Sequence, residues 1–84
     1  MTGAQLRAAR ALLAWSQSDL ASESGVGIAT IKRMESADGS VPGRFQNVVK
    51  LSEALVKAGV EFIDENGGGP GVRLRKPTTP ADTK

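Results

Sequence analysis

Eighty-four residues carry eleven Lys or Arg against nine Asp or Glu, for a formal net charge of +2, with three aromatic residues and neither cysteine nor histidine. The two missing residue types exclude disulfide frameworks, thiol nucleophiles, zinc sites and an imidazole general base, and with them the commonest hydrolytic chemistry. The length suits one domain near the lower limit for independent folding, so a core of Leu, Val, Ile and Ala with few aromatics predicts a helical bundle or a fold that gains burial by oligomerising.

Thr2 and Gln5 stand at capping-box spacing, and Leu6, Ala9 and Leu13 recur on one face, which predicts a first helix over residues 2–13. Trp15 follows. Ser16-Gln17-Ser18-Asp19 then offers a second N-cap with a carboxylate three residues on, opening a helix that runs to Ser24 and stops at Gly25. A third helix is expected from Ile28 to Ser36, with Val26, Ile31 and Met34 as its apolar contacts. The stretch from Ala37 to Arg44, with Asp38-Gly39 and Pro42-Gly43, reads as a loop. A fourth helix follows from Phe45 to Ala58, with Val48, Leu51, Leu55 and Ala58 at helical spacing and Gly59 ending it.

The pattern then changes. Val60 to Asp64 alternates, with Val60, Phe62 and Asp64 on one face and Glu61 and Ile63 on the other. Gly67-Gly68-Gly69-Pro70-Gly71 turns the chain, and Val72 to Arg75 alternates as a second strand. Phe62, Val60, Val72 and Leu74 need cover, from their own helices or from a second chain. The Pro- and Thr-rich segment 76–84 is expected to be disordered. The chain thus divides into a helical unit (1–59), a hairpin (60–75) that is a candidate dimerisation element, and a tail (76–84). Nothing is long and apolar enough to span a membrane, and Met1-Thr2-Gly3-Ala4 lacks the n-region and h-region of a secretory signal, so a soluble, cytoplasmic protein is expected.

The informative stretch is Trp15 to Glu35, where two short helices meet at Gly25-Val26-Gly27. Leu20, Ala21, Val26, Ile31 and Met34 are placed to seal those helices together, with Ala21 small at the crossing and Gly25 supplying a positive φ. Over residues 13–21 and 24–35 the sequence resembles the phage-repressor and Cro-like (xenobiotic-response-element) family of bacterial regulators, and the resemblance extends over about residues 2–59. It implies a mainly α fold: a lambda-repressor-like helix-turn-helix bundle of four helices, here followed by the C-terminal β-hairpin. It also implies a structural ion pair between Arg10 of the first helix and Glu35 at the end of the third.

The DNA contacts it implies are Gln17 on a phosphate at the start of the second helix, and Gly27, Ile28 and Ala29 at the opening of the recognition helix. Lys32 and Arg33 lie one turn on, and Arg44, Gln46 and Asn47 sit on the backbone at the fourth helix. The chain departs from the family where Gly, Ile and Ala replace the usual polar residues at the opening positions. Ile28 and Ala29 can touch thymine methyls but cannot make bidentate hydrogen bonds, so guanine recognition falls to Lys32 or Arg33.

Two other features carry no chemistry. The glycine run from Gly67 precedes a strand rather than a helix and lacks the Lys-Ser/Thr of a phosphate loop. Of Glu61, Asp64 and Glu65, strand alternation puts Glu61 and Asp64 on opposite faces and nothing else converges, so solvated edge charges are expected rather than a metal site. The expectation is a non-enzymatic, cofactor-free transcriptional regulator, a homodimeric repressor on palindromic double-stranded DNA. The rival is a protein-binding antiactivator or antitoxin-like module that holds a transcription activator or a toxin on the same face.

Overall fold

The computed structural model describes residues 1–37, 43–64 and 66–75. The tail 76–84, Glu65 and residues 38–42 of the expected loop lie outside the described residues. Four helices, α1 (Gly3–Leu13), α2 (Gln17–Ser24), α3 (Ile28–Glu35) and α4 (Phe45–Lys57), precede the strands β1 (Val60–Ile63) and β2 (Gly71–Leu74). Each expected element is present, and the ends move by a residue or so, where terminal turns fray between helical and extended bonding.

Local chemistry sets the first two helices. Thr2 Oγ1 accepts from the Gln5 N–H at 3.0 Å while Gln5 Oε1 accepts from the Thr2 N–H at 2.8 Å, and Ser16 and Asp19 repeat this reciprocal cap on α2. Gly25 ends α2 at φ +76°, a left-handed conformation that lets the chain reverse into α3 within three residues. The reversal that ends α1 falls instead on Ala14, at φ +56° and ψ +35°, where an L side chain is strained.

The core consists of Leu6, Ala9, Leu20, Val26, Ile31, Met34, Leu51, Leu55 and Val60. Leu20, Val26, Ile31 and Met34 seal α2 against α3 as their spacing requires, while Ala21 and Leu13 are only half-buried at its edge. Val60 is fully buried among the helices, and Phe62 and Val72 pack against the same core, so the hairpin shares its interior with the bundle. The strands pair antiparallel in the register Val60↔Leu74, Glu61↔Arg73, Phe62↔Val72 and Ile63↔Gly71. Leu74, the fourth residue expected to need cover, stays 47 % exposed.

Two contacts fix α1 that its periodicity does not announce. Gln5 is buried, and its Nε2 donates to the carbonyls of Ile63 (3.2 Å) and Gly71 (2.9 Å), so the capping residue of α1 also straps both strands to the helix. Gly3 brings the start of α1 against the end of α3: a Cβ there would lie 2.5 Å from the Ala37 carbonyl oxygen and 2.9 Å from that of Met34. Only glycine allows that approach.

Candidate nucleic-acid interface

The site begins with what holds α3. The Glu35 carboxylate is 3 % exposed and accepts from Arg10 Nε at 2.6 Å, Arg10 Nη2 at 2.9 Å and Gln17 Nε2 at 3.1 Å. Arg10 Nη1 donates to the Trp15 carbonyl at 2.9 Å, and the Arg7 guanidinium donates to the Glu35 carbonyl. Burial pushes the Glu35 carboxyl up, but the hydrogen bonds from Arg10 and Gln17 and the charges of Arg10 and Arg7 outweigh it and hold it below the usual carboxylate range. The hydrogen bond to Glu35 raises Arg10 against the opposing effect of burial. Two-point contact with a planar guanidinium fixes angle as well as distance, so the end of α3 is locked in orientation to α1 and to the first residue of α2.

The opposite end of α3 is open. Gly27 is its N-cap with no side-chain hydrogen bond, and intrahelical bonding starts with the Ile31 N–H to the Gly27 carbonyl at 3.1 Å. By helix geometry the N–H groups of Ile28, Ala29 and Thr30 precede the first bond and carry the positive end of the dipole. Gly27, Ala29, Lys32 and Arg33 are exposed, and Ile28 is 38 % exposed. Gly27 sits at φ −62° with room for a Cβ, so its small size serves neither backbone nor packing within the chain.

The second expected group lies at the head of α4. Arg44 and Gln46 are exposed and Asn47 is half-buried, and α4 likewise starts without a side-chain cap. The structure therefore leaves both of these helix starts uncapped, while α1 and α2 have complete capping boxes.

Gln17 begins α2 as expected, and its side-chain amide donates to Glu35, which leaves a second Nε2 hydrogen and the backbone N–H groups of Gln17 and Ser18 outside the Ser16 cap. Of the acidic residues considered for a metal, Glu61 pairs with Arg73, its cross-strand neighbour. Gly3, Gln5 and Arg7 were missed as determinants of the site. Their signal is weak because each acts through a backbone carbonyl distant in sequence, and carbonyls have no sequence identity.

A helix clamped at one end and presented at the other, behind a helix of equal length, defines a helix-turn-helix module built to enter a major groove. The Helix-turn-helix family model (HTH_3) matches residues 6–55, well over half of the chain, and the protein belongs to this phage-repressor-like, xenobiotic-response-element family of DNA-binding transcriptional regulators. No curated protein matches the chain. Among the described residues no helix is long and apolar enough to cross a membrane.

Proposed function

We propose that the chain is a sequence-specific repressor that binds a palindromic operator as a dimer, with α3 of each copy in a major groove. The observation that carries this reading is the asymmetry of α3: Glu35 is immobilised in its last turn, its start is uncapped, and Lys32 and Arg33 in the C-terminal half of the helix are exposed. Arg33 or Lys32 reads guanine, Ile28 and Ala29 pack on thymine methyls, and the small Gly27 allows close approach of the DNA. Gln17, Gln46 and Asn47 hold the phosphate backbone, helped by the uncapped start of α4. The segment 60–75 contributes to the contact between copies, which sets the recognition helices one DNA turn apart, roughly 34–36 Å.

The apolar character of Ile28 favours a second reading, in which the same face holds a protein partner such as an activator or a toxin. Salt separates the two. A DNA reader loses affinity for random duplex steeply and log-linearly as salt rises, and a protein-binding face does not bind duplex this way. With a footprinted operator from upstream of its own gene, Arg33→Ala and Lys32→Ala are expected to weaken binding by about 1–3 kcal/mol where the lost side chain read a base, and to relax specificity there. Wild-type affinity in both variants refutes the assignment of α3.

A further inference from the structure

Leu12, Ile28, Val56 and Leu74 are the other exposed large apolar residues described, at 38–47 %, whereas Phe45 is 79 % exposed. A chain with three aromatic residues and a thin core places one of them in water. The helical phase of α4 gives Phe45 a definite direction. At 100° per residue it lies on the same side as Val48 and Ser52, one and two turns along. Val48 and Ser52 form a wall of an open cavity of about 200 Å³, completed by Met1, Gln5, Phe62 and Asp64. The cleft is open to solvent, with polar Gln5, Ser52 and Asp64 beside apolar Met1, Val48 and Phe62, and its volume suffices for a phenyl ring laid against that apolar side.

A protruding ring and a ring-sized cavity, about one helical turn apart on one face, meet the requirement of a two-fold contact, in which the same surface must complement itself. Apposing two α4 helices antiparallel about Val48 brings each Phe45 to the wall bearing the partner's Ser52. The charges agree. Arg44 precedes Phe45 and is exposed, Asp64 lines the cavity and is exposed, and the same axis sets one against the other twice.

We infer that this face joins two copies of the chain, with Phe45 of each seated in the other's cavity and Arg44 paired with the partner's Asp64. The inference names the surface of the dimer on which the proposed function rests. It gives the hairpin a part in that dimer through Phe62 and Asp64, and it turns Arg44 from the DNA backbone to the partner.

Sedimentation of the full chain without DNA tests it, so a failure of DNA binding leaves the result readable. The wild type is expected to be dimeric at tens of micromolar. Phe45→Ala is expected to keep its unfolding midpoint at dilutions where both chains are monomeric, because the ring touches little of its own chain, and to weaken association about thirtyfold or more, as loss of a central aromatic anchor does. Arg44→Glu and Asp64→Arg should each dissociate the dimer, and the two together should restore it. A monomeric wild type, a dimer that survives Phe45→Ala, or charge reversals that fail to rescue one another each overturn the inference, whichever other surface is then found to hold the copies.

Discussion

Glu35→Ala tests whether the clamp on α3 is structural. The substitution removes an acceptor for three donors and leaves the Arg10 guanidinium with the Trp15 carbonyl as its remaining partner in this network. Deleting one member of a buried pair costs about 3–5 kcal/mol, chiefly because the other charge is stranded. The Arg10 side chain is 21 % exposed, so water can relieve part of that burden and the lower end, about 3 kcal/mol, is the appropriate figure. A domain of this size has about 4–13 kcal/mol in total. With a urea dependence of about 1 kcal/mol per molar, the unfolding midpoint should drop by about 3 M. Glu23, exposed on α2, is the matched control, and Glu23→Ala should shift stability by no more than about 0.5 kcal/mol. Equal midpoint shifts in the two variants refute the reasoning.

The same group predicts a pH dependence. Its carboxyl is held below the value of about 4.3 expected in the unfolded chain, so between the two values the unfolded state binds more protons. The stability it contributes is complete above the unfolded value and is lost as pH falls through the folded one. Glu35→Gln removes the titration, so its urea midpoint should decline less between pH 6 and pH 2 than that of the wild type. Parallel declines exclude Glu35 as the source.

Gly3→Ala should destabilise by about 1–3 kcal/mol, opposite to what alanine's helix preference predicts, because the new Cβ meets backbone oxygens that cannot rotate away. A chemical unfolding midpoint at or above wild type contradicts the close approach of α1 to α3. Ala14→Gly should raise stability by about 0.5–1 kcal/mol, since relief of the left-handed strain exceeds the added entropy of the unfolded glycine. A lower thermal midpoint shows that the α1 terminus is not strained as described.

The elements legible in the sequence are those that depend on local chemistry or strict periodicity. Ser16 with Asp19 and Thr2 with Gln5 place two helix starts, Gly25 places the turn, and the spacing of Leu20, Val26, Ile31 and Met34 places the seal between α2 and α3. The hairpin was visible from alternation and its glycine turn, but its cover was not. Whether Val60 and Phe62 meet their own helices or another chain depends on how far α1 and α4 diverge, which no short-range pattern encodes. Gln5 shows the same limit: its capping role follows from a spacing of three residues, whereas its bonds to Ile63 and Gly71 span 58 and 66 residues. Phe45 opens α4 as expected, and its helical phase, near that of Ser52 and exposed Val56 rather than of buried Leu51 and Leu55, leaves it in water.

These long-range contacts converge on one consequence for function. Gly3, Arg7 and Arg10 all belong to α1, and all three act on the last turn of α3 or the residues just after it. Gln5 ties the same helix to both strands. Helix α1 is therefore the frame through which the hairpin and the recognition helix are held to one another. Specific reading of base edges needs a helix whose angle is fixed before it meets DNA, since a bidentate pair tolerates little misalignment. Polar straps at the far end of α3 supply that rigidity without placing any side chain at its start. The Gly27–Ala29 end remains bare, short of polar side chains and short of caps, because the fixed angle comes from Glu35, one helix length away.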